Sequence, residues 1–166
     1  MLMAILLVAP VHAADFRVLD FGSPCDSIRA LEEAQNSVPI PWTHSEDEGW
    51  HAFRGRAFDR EVSILYLCVS GNLCTGNYFL PDESFDDALK SLRSVYDSLN
   101  STHGEPFLDN TPWQKDADPR FVSRDPQRYM VTWKSSRVRT TIAVMPGPDD
   151  SDTTWHVFVV VARSRS

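Results

Sequence analysis

The sequence predicts an α+β fold: an antiparallel sheet of about six strands, with a short N-terminal helix and one long helix packed on one face. Three observations lead there. Residues 84–104 carry a clear amphipathic helix pattern. The segments on either side of it alternate apolar and polar residues at strand period. Short turns rich in Gly, Pro, Asp and Ser join those segments, which fits antiparallel neighbours. The 166 residues are enough for one domain. With 42% hydrophobic and 23% charged residues the chain is neither disordered nor collagen-like. A net charge of -7 excludes a general nucleic-acid binder, which needs a surplus of Lys and Arg.

The elements follow in chain order. Residues 2–11, LMAILLVAPV, form an apolar run. A membrane span needs roughly 20 such residues, so this run fits the core of a secretory signal peptide instead. Val11 and Ala13 supply the small residues before a cleavage site, although Met1-Leu2-Met3 lacks the usual basic residue. The expected organisation is a signal peptide at 1–13 and a single α+β domain at 14–166. The expected compartment is the periplasm, or the medium after secretion, with no membrane span in the mature chain.

Phe16–Asp20 alternates and reads as a short first strand. Ser23-Pro24-Cys25-Asp26 is a helix start, with Ser23 as cap and Pro24 at the first helical position. Cys25, Ile28 and Leu31 form its apolar side, and it ends near Asn36, before Val38-Pro39-Ile40-Pro41. A polar connection over 42–50 carries Trp42, His44 and Glu46-Asp47-Glu48. Strands are expected over His51–Phe58, Glu61–Val69 and Leu73–Leu80. Taking Ser70-Gly71-Asn72 as a three-residue loop places Cys68 opposite Cys74. Ile64, Tyr66, Cys68, Cys74, Gly76, Tyr78 and Leu80 then share the face that the helices cover.

Ser84 caps the long helix, with Asp86 and Asp87 in its first turn, where the helix dipole favours acid. Phe85, Ala88, Leu89, Leu92, Val95, Tyr96 and Leu99 fall at helical spacing on one stripe, and Gly104 terminates it. Residues 105–127 read as a long loop rich in Pro and Asp. Three more strands are expected at Arg128–Trp133, Arg137–Met145 and Thr154–Arg163. The two three-strand blocks flanking the long helix are candidates for pseudo-symmetry, although no internal repeat is sharp enough to score.

Cys25, Cys68 and Cys74 are three thiols in a compartment that favours disulfides. The odd number leaves one free or paired between chains. The candidate bonds are 25–68, 25–74 and 68–74. A bond from Cys25 to one of the hairpin cysteines is favoured, because it ties the helix to the sheet and closes a long loop.

One stretch resembles a known group. A strand ending in Cys68 leads to Gly71-Asn72-Leu73, then a strand with Tyr78 and Phe79, then a helix. His103-Gly104-Glu105-Pro106 and Trp113 follow. This resembles small secreted or periplasmic α+β domains of Gram-negative bacteria that form a domain family of unknown function. In them a long helix ends in a Tyr/His-Gly-x-Pro step followed by a Trp. The resemblance covers roughly a third of the chain and implies fold and compartment. Its motifs are structural and transfer no catalytic residue.

No nucleophile elbow, zinc-binding helix or phosphate loop is present, and no catalytic, cofactor or metal residue is assigned. Asp149, Asp150 and Asp152 lack the ligand spacing of a calcium loop and read as a solvated turn. His156 reads as a strand histidine on the face of Phe158 and Val160. The 5 tryptophans are more informative. Trp133 and Trp155 fall in strands and read as core. Trp42, Trp50 and Trp113 lie in or beside loops and are the candidate binding residues, since Trp buries a large area while keeping one polar donor. Loop packing is the competing role for them. The expected function is a non-enzymatic periplasmic binding or interaction module, of inhibitor or immunity type. Its expected partner is a protein of the cell envelope, basic enough to be steered by the negative charge. The alternatives are a small hydrolase acting on cell-wall material and a structural envelope component. The hydrolase predicts a cleft where His44, His103 or a carboxylate pair converge.

Overall fold

The computed structural model describes residues 14–42, 48–82, 84–111, 129–146 and 154–164. The elements run in the order of a 3-10 turn (Cys25–Ser27) leading into α1 (Ile28–Ala34), then β1 (Val38–Pro39), β2 (Trp50–Ala57), β3 (Arg60–Val69) and β4 (Asn72–Asp82). There follow α2 (Phe85–His103), β5 (Leu108–Asp109), β6 (Met130–Lys134), β7 (Val138–Pro146) and β8 (Trp155–Arg163). The fold is α+β, and all strand pairs are antiparallel.

Among the described residues the sheet has 8 strands, in the order β1-β2-β3-β4-β8-β7-β6-β5. The expectation of about six is corrected in two ways. The outermost strands, β1 and β5, are two residues long and leave no alternation to read. Phe16–Asp20 is not a strand but a tight turn, closed by reciprocal bonds between Phe16 and Leu19 of 3.0 and 2.9 Å. Arg17 adopts positive φ there, and its guanidinium reaches Glu32 of α1, so a tertiary ion pair overrides local alternation. The strand order reads the same from either edge. Each half is a helix followed by a four-strand meander, and the halves join through β4 and β8.

Register fixes the two faces. Ile64 faces Tyr78, which faces Val159, which faces Ile142, which faces Val131. These residues, with Tyr66, Leu80, Val144 and Val157, form the helix-covered side, and most of them are fully buried. The covered set matches the expected one except at Cys74. The β3–β4 turn has two residues, Ser70 and Gly71, both with positive φ, which suits a tight hairpin. Cys68 therefore faces Leu73, and a bulge after it leaves Cys74 exposed. Gly76 is needed on the covered side, because a Cβ there would enter the Phe16 ring at 2.2 Å.

α2 packs on β4, β7 and β8 with Phe85, Ala88, Leu92 and Val95 buried at helical spacing. Ser84 caps it by accepting from the Asp87 N–H at 3.1 Å, and Gly104 ends it at φ 76°. The first helix starts later than expected. Pro24 is the N-cap of the leading 3-10 turn and Ser27 that of α1, and no side chain caps either. The segment before it is held instead by the hairpin tip, where Cys25 N–H donates to Gly71 O at 2.9 Å and Leu73 N–H to Ser23 O at 2.9 Å. No helix among the described residues is long and apolar enough to cross a membrane.

Candidate functional site

The helices cover one face of the sheet. The opposite face carries the features that point outward. In β4 and β8 apolar residues occupy consecutive positions, so that Phe79 and Phe158 fall on the open side while Leu80 and Val157 fall on the covered one. Phe79 and Phe158 oppose each other directly, with ring centroids 4.4 Å apart. The chain leaving β1 is held to β2 by Ile40 N–H donating to Ala52 O at 3.0 Å, and it lays the Trp42 ring 5.4 Å from Phe79. Trp50 opens β2 and faces Leu67 on the same side. Trp42, Trp50, Phe79 and Phe158 are all half-buried.

Of the three candidate binding tryptophans, the structure puts Trp42 and Trp50 on one face. Trp113 lies outside the described residues, as do His44, Glu46, Asp47 and the acidic turn at 149–152. Trp42 both packs on Phe79 and keeps part of its surface in water. Trp133 and Trp155 are core, as expected: Trp133 Nε1 donates to Gly104 O at 2.9 Å, and Trp155 packs 4.9 Å from Phe85. Phe79 and Phe158 were missed in the sequence. Their signal was an apolar run without alternation in Tyr78-Phe79-Leu80 and in residues 157–161, which marks strands with apolar residues on both sides.

The three cysteines resolve as a Cys25–Cys68 disulfide and a free, exposed Cys74. The disulfide spans 43 residues and is part of the wall of a cavity of about 720 Å³, along with Asp26, Arg29, Glu48 and His51. His103 lies elsewhere, at the end of α2. Burial pushes its pKa below the ordinary value, and it lines a groove of about 440 Å³ with Arg17, Tyr78 and Arg137. Burial pushes Tyr78 up to about 12, so its hydroxyl stays protonated at neutral pH. Among the described residues no cluster of three His, Cys, Asp or Glu is placed to hold a metal ion.

The strongest electrostatic feature lies under α1. Glu32 is fully buried and accepts from Arg17 Nε at 2.7 Å, Arg17 Nη2 at 3.0 Å and the Tyr66 hydroxyl. Burial alone would raise its pKa, but the bonds from Arg17 and Tyr66 outweigh that and hold it below 4.5. Burial also raises the Tyr66 pKa, and the Glu32 carboxylate raises it further. Every group in this cluster is thus locked in one protonation state near neutral pH. That suits a tether between α1 and the sheet better than a proton-transfer role, which needs a pKa near the working pH.

No protein-family model, curated protein or solved structure matches the chain.

Proposed function

We propose that the protein is an exported, non-enzymatic binding module of inhibitor or immunity type, which presents the open face of its sheet to a protein of the cell envelope. The observation that carries this reading is the aromatic row Trp42–Phe79–Phe158 on a face that neither helix covers, with Trp50 on the same side. Half-buried aromatics in such a row supply large contact area at little cost in side-chain entropy. Charge sharpens the partner's chemistry. Net charge alone, at -7, favours a basic partner. The described strand residues of the open face, however, carry Arg54, Arg56, Lys134 and Arg139 against Glu61. The partner's contact surface is therefore apolar with an acidic rim.

Export is part of the same proposal. It is supported by the apolar run at 2–11 and by the disulfide. N-terminal sequencing of the native protein is expected to start at Ala14, with Cys25 and Cys68 recovered as one linked peptide. Recovery of Met1 with free thiols would refute export. For the interface, a photo-crosslinking side chain at Phe158 is expected to capture one envelope protein. The same group at Ser94, on the exposed side of α2, is expected to capture none. Equal capture from both positions, or none from Phe158, rejects the open face as the interface.

A further inference from the structure

We propose that the groove at the β5–β8 end of the open face binds a single-chain anionic amphiphile, its carboxylate head held between Lys134 and Arg139 and its apolar chain lying on Leu108, Met130 and Val160. This goes beyond the protein-partner reading: it uses different residues from the aromatic row and shares with that reading only the cations Lys134 and Arg139.

The head-group site rests on a register anomaly. Lys134 and Arg139 oppose each other directly across β6 and β7, both on the open side and both exposed. Like charges at directly opposed positions repel and destabilise a sheet. Neither residue has an ion pair or side-chain hydrogen bond among the described residues that would offset this. A carboxylate between them converts the repulsion into two charge-assisted bonds, with Arg offering a bidentate fork and Lys a compact point charge. The neighbouring pair, Thr132 and Thr141, is bonded to itself at 3.1 Å and does not compete for the head group.

The chain site is the apolar surface next to those cations. The groove holds about 500 Å³ and is walled by Leu108, Met130 and Val160 beside Phe107. That volume falls within the range of about 300–1,000 Å³ typical of small-molecule sites. Phe107 is 75% exposed and Leu108 36%, so hydrocarbon here stands in water. Covering it removes apolar surface from water and is favourable. Two cations without a partner among the described residues, beside exposed hydrocarbon along the floor, match a molecule with one anionic end and one apolar tail.

The test uses the full chain and dodecanoate below its micelle concentration, followed by titration calorimetry. Dodecanoate is expected to bind. Acetate, which lacks the tail, and dodecyltrimethylammonium, which reverses the head charge, are each expected to bind at least about tenfold more weakly. The Lys134→Ala, Arg139→Ala double variant is expected to lose at least about tenfold in dodecanoate affinity while melting no lower than the parent, because it relieves a repulsion. Met130→Asp, which places charge on the floor, is expected to weaken dodecanoate while leaving acetate unchanged. Equal affinity for the cationic amphiphile, or an unchanged affinity in the double variant, overturns the site. Binding to phosphatidylglycerol vesicles without binding to free dodecanoate also overturns it, in favour of a membrane surface. Loss of envelope crosslinking at Phe158 bears only on the protein-partner reading and leaves this site standing.

Discussion

In the C-terminal half, the 19 residues of α2 cover the sheet with Phe85, Ala88, Leu92 and Val95. In the N-terminal half, the 7 residues of α1 bury only Ile28 and the Glu32 carboxylate. The same layout of one helix and four strands is thus held by different forces. The long helix stands on apolar burial, where each large side chain contributes roughly 1.5–3 kcal/mol. The short one is too small for that. It is tied by the Cys25–Cys68 disulfide, by the Glu32–Arg17–Tyr66 cluster and by backbone bonds from residues 22–25 to the β4 tip. A short amphipathic segment can therefore hold a fixed place on a sheet when covalent and charged ties replace missing hydrocarbon.

Breaking the charged tie is expected to have the largest effect. Arg17→Met leaves Glu32 fully buried without its cation, and loss of one partner of a buried pair costs about 3–5 kcal/mol. Urea unfolding of the parent and variant measures it. The pH dependence sharpens the same point. The Glu32 pKa is held below its ordinary value in the folded protein, so its contribution is present above the unfolded pKa and is lost as the pH falls through the folded one. Without Arg17, burial, the largest influence on the carboxyl, is expected to raise its pKa, so mild acidification is expected to stabilise Arg17→Met while it does not stabilise the parent.

Removing the covalent tie comes next. Cys25→Ser with Cys68→Ser opens a loop of 43 residues and is expected to cost about 2–4 kcal/mol by thermal or urea denaturation. Hydrogen exchange is expected to rise first in α1 and the β3–β4 tip and least in α2, which the disulfide does not touch. Uniform loosening of both halves would show that the ties are shared. The smallest effect is on the long helix. Ser84→Ala removes the cap on the Asp87 N–H and is expected to cost about 1 kcal/mol, with exchange rising only in the first turn of α2.

The parts legible in the sequence were those set by short-range periodicity. The α2 stripe with its Ser84 cap, the covered faces of β3 and β4, and the core positions of Trp133 and Trp155 all follow from spacing of 3.6 or 2 residues. The misreadings arose where geometry depends on one residue of register or on distant partners. Ser70 takes positive φ, which shortens the hairpin loop by one residue and moves Cys74 off the covered face. Glu32 carries no local signal of its burial, because its partners are Arg17, 15 residues earlier, and Tyr66, 34 residues later. The candidate interface was half legible. Trp42 and Trp50 were singled out as loop-side aromatics, but their alignment with Phe79 and Phe158 depends on the β4–β8 pairing, which joins residues about 80 positions apart and leaves no local pattern.

The brevity of the two marginal strands has a consequence for how copies of this chain behave when crowded. Each margin ends after two residues, and at one of them Pro39 has no N–H to offer. Among the described residues neither outermost strand presents a long row of free donors and acceptors on which another polypeptide could template a further strand. Fibril-like growth through the ladder is thereby discouraged at both ends.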